Sequence, residues 1–273
     1  MIQQRVARTL AEAGIPDAAR DARRLYDWAY ALGAEAPEPQ DRDHPNEMTL
    51  HFLEIGVAQR LKRQPVSQIV GKRAFWRHEF DVTPDVLDPR PDTETLVDQA
   101  LGGRFSRVLD LGTGTGCIVI SLLAERATAR GVAVDLSEAA LTVARRNARR
   151  IGVSDRLELT RSDWFSAVEG SFDLIVSNPP YIAAEEMPDL APEVRDWEPR
   201  LALTDEGDGL TAYRIIAREA AGYLNPEGLV MVEIGPSQGA AVSGLFRAAG
   251  YTQVEVIPDL DGRDRVVLAR DLG

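Results

Sequence analysis

The chain of 273 residues is 44% hydrophobic and 27% charged, which suits a soluble globular protein with one large domain or two smaller ones. It holds no window near the roughly 20 uncharged apolar residues of a membrane span, and its opening, MIQQRVARTLAEAG, lacks the basic-then-apolar build of a secretory leader, so the expected location is cytoplasmic. The net charge of -12 is uneven: residues 1–75 carry 11 Lys+Arg against 10 Asp+Glu and the rest 20 against 33, a field that disfavours a nucleic-acid backbone as partner.

The first stretch reads helical. Ile2, Val6 and Leu10 recur every four residues, Gly14 stops the run, and Pro16 suits the first position of the next. Ala22, Leu25, Ala29 and Leu32 follow at three- and four-residue steps. After the polar GAEAPEPQDRDHPNE, a third run from Thr49 to Arg63 carries Leu50, Leu53, Val57 and Leu61, with Arg60, Lys62 and Arg63 read as a solvated face. Residues 1–72 are therefore expected to form a small helical domain.

From FWRHEFDVTPDVLDPR the pattern turns to alternation around a Thr-Pro-Asp turn, expected as a connecting β-hairpin over 73–88. From 89 to 273 strands and helices alternate. Strands are expected near 107–111, 131–135, 156–160, 172–177, 228–234, 251–257 and 264–270, with helices near 92–101, 116–127, 137–151, 208–223 and 237–249. Such alternation predicts an α/β fold with a mostly parallel sheet covered on both faces. Only DLDGRD separates the last two strands, too short for a helical crossover, so the final strand is expected to be antiparallel.

VLDLGTGTGCIVISLLAE runs an apolar strand into Gly112, Gly114 and Gly116 and then into a helix. Glycines there permit a tight turn and close approach of a ligand to helix N-terminal amides. A dinucleotide fingerprint would place its third glycine at Cys117, so a G-x-G-x-G loop fits better and the nicotinamide reading weakens. Asp135 ends the next apolar strand, where a carboxylate suits the ribose hydroxyls of an adenosine cofactor; the plainer alternative is an acid ahead of a helix at Ser137. Asp163 and Trp164 follow the third strand, an acid for the adenine amino group and an indole for the ring face, although a Trp there also reads as core. Cys117, the only cysteine, reads as a small core residue and excludes an internal disulfide. His44, His51 and His78 form no ligand pattern, and no metal site is expected.

FDLIVSNPPYIAAEEMPD ends the fourth strand on Asn178, two prolines and Tyr181. Prolines restrict the backbone and lack an N–H, which leaves the Asn178 and Pro179 carbonyls free to accept, and the Asn178 side-chain oxygen is a further acceptor. Acceptors converging on one point suit a substrate NH2 group. The acidic segment that follows, with Glu185, Glu186, Asp189, Glu193, Asp196 and Glu198 against Arg195, reads either as a solvated loop or as a rim for a basic partner.

These motifs resemble those of the class I S-adenosylmethionine-dependent methyltransferases, and most closely of the release factor glutamine methyltransferases, which methylate the glutamine of the Gly-Gly-Gln motif in class 1 peptide chain release factors. The resemblance is carried by PRPDTE (Pro89 to Glu94), DLGTGTG (Asp110 to Gly116), AVDLS (Ala133 to Ser137), DWF (Asp163 to Phe165), SNPPYI (Ser177 to Ile182), EPRLAL (Glu198 to Leu203), VEIG (Val232 to Gly235) and DLDGRDRVV (Asp259 to Val267). It covers residues from about 60 to 270; Asp88, where an aliphatic residue is expected, departs from it.

The resemblance implies a Rossmann-like seven-stranded methyltransferase domain over 89–273, a substrate-recognition role for 1–72, S-adenosyl-L-methionine as cofactor, a release factor as protein partner and a monomeric enzyme. It implies that Asp110 with the loop Gly112, Thr113, Gly114, Thr115 and Gly116 backs the methionine part of the cofactor, that Asp135 holds the ribose, and that Asp163 and Trp164 flank the adenine. Asn178 and the Pro179 carbonyl are expected on the substrate amide, with Pro180 and Tyr181 completing the pocket and Asn178, Pro179 and Tyr181 forming the catalytic set. Whether Thr93 or Glu94 touches a ligand stays open. Rival readings are a glutamine methyltransferase acting on a ribosomal protein, a nucleic-acid amino-group methyltransferase, a nicotinamide-dependent reductase and a non-catalytic nucleotide-binding module.

Overall fold

Gly33, Gly116 and Gly152 stand at the ends of helices in the computed structural model, which describes residues 1–272. The described chain divides into two units. The first comprises Met1–Lys72 together with Ala191–Trp197 and the second Arg73–Leu190 with the chain from Glu198 onward.

The first unit contains α1 (Ile2–Glu12), α2 (Ala18–Gly33), α3 (Glu47–Leu61) and the short α4 (Val66–Val70). Val6, Leu10, Leu25, Tyr26, Ala29 and Leu53 form its apolar centre. Asn46 caps α3 by accepting from the Thr49 N–H at 2.9 Å, and its Nδ2 donates to the Gly33 carbonyl at 2.9 Å. A side chain at Gly33 would collide with Thr49 Oγ1 at 1.9 Å, so α2 must end on glycine where α3 begins. Arg60 is not on a solvated face: it is 4% exposed and donates to Asp21 at 2.7 Å and to Glu193 at 3.0 Å. Glu193, which Arg63 also reaches at 3.3 Å, lies within the four-residue turn of Pro192–Arg195.

The second unit opens with a two-stranded sheet, β1 (Lys72–Phe75) and β2 (His78–Asp81), and a 3-10 turn over Pro91–Thr93 that leads into α5 (Glu94–Gly102). Then follow β3 (Arg107–Leu111), α6 (Cys117–Glu125), β4 (Arg130–Asp135), α7 (Glu138–Ile151), β5 (Leu157–Arg161) and β6 (Phe172–Ser177). Past the first unit's α8 (Pro192–Arg195) come α9 (Thr211–Glu219), β7 (Leu224–Glu233), α10 (Gly239–Ala248), β8 (Tyr251–Pro258) and β9 (Asp264–Leu272). The seven strands order as β5-β4-β3-β6-β7-β9-β8, with β9 antiparallel to both its neighbours and the pairings from β5 to β7 parallel. The expected antiparallel last strand is thus present, inserted between β7 and β8.

Alternation along the strands separates two apolar layers. Val108, Leu174, Val176 and Met231 pack with α5 and α6 through Leu96, Val97, Val119 and Leu122. Leu109, Leu111, Ile175, Val230 and Val232 pack with α9 and α10 through Tyr213, Ile216, Val242 and Phe246. Helix α9 begins at Thr211 rather than 208 because Asp205 collects the N–H groups of Gly207, Gly209 and Thr211 at 2.8–3.0 Å and holds GDG as a loop. Strand β7 begins four residues earlier than expected: Leu224 pairs with Phe172, and Asn225 Nδ2 donates to Asp173 at 2.6 Å. Among the described residues no helix is long and apolar enough to cross a membrane.

Candidate active site

Strand order reverses between β3 and β6, which run side by side with Leu111 opposite Ser177. Gly112 and Asn178, the residues that follow, therefore leave the sheet together at the crevice where open α/β sheets bind ligands. The Ser177 hydroxyl donates to the Leu111 carbonyl at 2.7 Å and ties the two strand ends.

On the β3 side, Gly112 and Thr113 both donate their N–H to the Val134 carbonyl, at 2.9 and 3.0 Å, which curls the loop back over the sheet. Gly112, Gly114 and Gly116 have φ of 68°, 54° and 81°, in the left-handed region. A Cβ added at Gly112 or Gly114 meets nothing within 4 Å, because both face open cleft, whereas at Gly116 it would lie 2.6 Å from Ile120 Cδ1. Asp110 lies behind the loop, fully buried, and accepts from the Thr113 hydroxyl at 2.7 Å. Burial pushes its carboxyl up to about 7 against the lowering effect of that bond.

Asp135 accepts the Gly114 N–H on Oδ2 and the Ser137 N–H on Oδ1, both at 2.9 Å. Each oxygen keeps a lone pair for a second donor. Burial raises this carboxyl above its usual range, with the backbone N–H groups working the other way. The plainer expectation for Asp135 also holds in part, since Ser137 caps α7 by accepting from the Ala140 N–H at 3.2 Å.

Gly112, Thr113, Gly114, Thr115, Asp135, Asp163, Trp164, Asn178 and Pro180 line one cleft together with Leu136, Ala140 and Ile118. Trp164 takes a φ of 48°, uncommon outside glycine, and Ser162 Oγ fixes it by donating to its carbonyl at 2.8 Å. Asp110, Gly116, Pro179 and Tyr181 stand outside the lining. Tyr181 is half-buried against the α9–α10 layer, its carbonyl accepting from Gln238 at 2.9 Å, and burial together with the Glu233 charge pushes its hydroxyl up to about 12.

Thr93 lines the cleft, and Asn178 Nδ2 donates to its hydroxyl oxygen at 3.3 Å. Glu94 instead accepts the Trp76 N–H at 2.8 Å and holds the β1–β2 turn. Arg90, also on the lining, grips both oxygens of Glu198 at 2.7 and 2.6 Å. Burial carries the Glu198 carboxyl up to about 7 even so, with Arg90 opposing and Asp88 adding to the rise. Sequence reasoning missed Asp88, Leu136, Leu201 and Ala202 as lining residues; the signals were the odd acid before Pro89, the AVDLS motif that holds Leu136, and EPRLAL, to which no role was attached. Of the acidic segment, Glu193, Glu198 and Asp196 hold arginine partners, and Glu186 accepts the Ala183 N–H at 3.0 Å.

Residues 86–194 match the family described as methyltransferase small domain. A release factor glutamine methyltransferase from Cereibacter sphaeroides is 58% identical over 96% of this chain and 94% of its own. The chain belongs to the release factor glutamine methyltransferase family. Another member, from Caulobacter vibrioides, is 43% identical over 95% of this chain and 91% of its own. The family resemblance read from PRPDTE and NPPY thus extends over nearly the full length. Among solved structures, a methyltransferase from Pyrococcus furiosus superposes with a TM-score of 0.55 at 20% identity, covering 78% of this chain and 95% of that one, a likeness of fold.

Proposed function

We propose that this protein transfers a methyl group from S-adenosyl-L-methionine to the side-chain amide nitrogen of the glutamine in the Gly-Gly-Gln motif of class 1 peptide chain release factors, giving N5-methylglutamine and S-adenosylhomocysteine in the cytoplasm. Family membership over nearly the whole chain carries the reading, and a ribosomal protein or nucleic acid as acceptor is not favoured. The cleft fits such a cofactor: Asp135 keeps two lone pairs for a ribose diol, Trp164 offers a flat face, and Gly112 and Gly114 leave the loop surface open. When bound, the sulfonium supplies an electrophilic methyl group.

A carboxamide nitrogen is a poor nucleophile because its lone pair is delocalised into the carbonyl. In this reading the Asn178 side-chain oxygen and the Pro179 carbonyl accept from the substrate NH2, orient the nitrogen and favour the positive charge that develops on it. Such positioning contributes roughly 7–11 kcal/mol and aimed dipoles a few more. The proton on nitrogen then leaves to water. The test is mass spectrometry of a purified class 1 release factor incubated with enzyme and cofactor. A gain of one methylene on the Gly-Gly-Gln glutamine, lost with Asn178→Ala while cofactor binding persists, is expected; no gain with cofactor bound would refute the substrate.

A further inference from the structure

Gln238 stands just before α10 and has no part in the mechanism above, yet its half-buried side chain meets three separate backbone segments of the second unit. Oε1 accepts the Gly235 N–H at 3.0 Å, in the turn after β7. Nε2 donates to the Tyr181 carbonyl at 2.9 Å, after β6, and at 3.4 Å to the Gly209 carbonyl, ahead of α9. These partners fix which way the amide faces. A backbone N–H only donates and a carbonyl only accepts, so a flipped amide would set donor against donor at Gly235 and acceptor against acceptor at Tyr181.

The stretch that Gln238 holds cannot hold itself. Pro179 and Pro180 offer no N–H, so Asn178 to Tyr181 is placed through its carbonyls and its flanks. On one flank Ser177 is tied to Leu111. On the other the Ile182 N–H donates to the Leu203 carbonyl at 3.0 Å and the Ala184 N–H to the Gly207 carbonyl at 2.9 Å. Gly209, with a φ of 72°, brings the same loop so close that an added Cβ would collide with the Tyr181 carbonyl. The proline rings fix φ at 179 and 180 and restrict Asn178 before them, so a displacement at Tyr181 passes back along the motif instead of being absorbed by it.

We propose that Gln238 is a positioning residue for methyl transfer: as a fixed donor to the Tyr181 carbonyl, it sets where Asn178 and the Pro179 carbonyl stand against the substrate amide. This rests on Asn178 and Pro179 receiving that amide.

Two substitutions separate a donor from a space-filler. Gln238→Glu keeps the length and an acceptor for Gly235 but, ionised at about pH 8, turns an anion on two carbonyls. Gln238→Met removes both polar ends and opposes nothing. Turnover on a purified release factor is expected to show kcat lowered about tenfold in Gln238→Met and at least as much in Gln238→Glu, with the KM for S-adenosyl-L-methionine within about twofold of wild type. Wild-type kcat in Gln238→Met overturns the proposal. So does a Gln238→Glu that turns over faster than Gln238→Met, as filling space would predict, or a cofactor KM that worsens in step with kcat. Hydrogen exchange of the enzyme alone, read by mass spectrometry, is expected to quicken about tenfold at the Ile182 and Ala184 amides in Gln238→Met while β3 keeps its wild-type protection. Unchanged exchange at those amides, or equal loosening of β3, overturns it as well. The exchange result holds whichever molecule accepts the methyl group, whereas a wild type that leaves release factor unmodified counts against the proposed function.

Discussion

Asp110→Asn isolates what a buried carboxylate costs this fold. The wild-type carboxyl moves from 3.8 up to about 7, chiefly by desolvation, with the Thr113 hydroxyl opposing and the Asp135 charge adding. A carboxyl that holds its proton more tightly folded than unfolded makes folding proton-consuming between those values, so its contribution to stability is full below the unfolded pKa and lost as pH rises through the folded one. A rise of about three pH units at 1.36 kcal/mol each amounts to about 4 kcal/mol between about pH 4 and pH 8. Asparagine keeps an oxygen for the Thr113 hydroxyl, now 2.7 Å from Oδ2, and carries no charge. Urea unfolding of both proteins at the two pH values gives two differences in stability, and any fixed effect of the substitution cancels between them. The difference is expected to move by about 4 kcal/mol in favour of the variant at the higher pH. A difference that stays constant within about 1 kcal/mol would refute desolvation as the cause.

Asp135→Ala removes two acceptor atoms from the cleft; titration calorimetry with S-adenosylhomocysteine is expected to show about 10- to 100-fold weaker binding. Gly116→Ala forces a φ of 81° on a residue with a Cβ and drives that atom to 2.6 Å from Ile120 Cδ1. Thermal unfolding should register a loss of about 2–5 kcal/mol, summed from left-handed strain and overpacking. Arg60→Met leaves Asp21 and Glu193 without their shared cation at a site where the arginine side chain is 5% exposed, and is expected to cost about 3–5 kcal/mol in chemical unfolding.

Most of the β-sheet was legible because its strands are short apolar runs ended by turn residues, and the glycine loop announced where β3 stops. What escaped depends on partners distant in sequence. Arg60 looks like surface charge until Asp21 and Glu193 are brought to it, 39 and 133 residues away. The short α4 and α8 have too few residues for a period to register. The hairpin length showed that β9 runs antiparallel, but its insertion between β7 and β8 is a non-local pairing that no local pattern encodes. Within the site, the loop glycines, Asp135, Trp164 and Asn178 were readable from motif order, and all but Gly116 reach the cleft. Thr93 and Glu94, adjacent and undecided in sequence, separate in space, one onto the cleft and the other onto the backbone of Trp76.

Parallel strands bring their carboxyl ends to one edge, so acids at those ends converge: Asp110 on β3, Asp135 on β4 and Glu233 on β7. Asp110, Glu233 and Glu198 are each carried up to about 7, a repeated penalty that an apolar core of the same shape would avoid. Stability alone gives no reason to keep them. A ligand that brings positive charge does, since carboxylates that stand behind the lining act on it through low-dielectric protein. The proposed reaction begins with a sulfonium and ends with positive charge passing through the substrate nitrogen, so an acceptor-rich, cation-poor crevice serves both sides of the transfer. Arg90 does not spoil that field, because Glu198 takes both its short bonds. The destabilising carboxylates are in this view the functional part of the fold, maintained at a cost in stability that the two apolar layers offset.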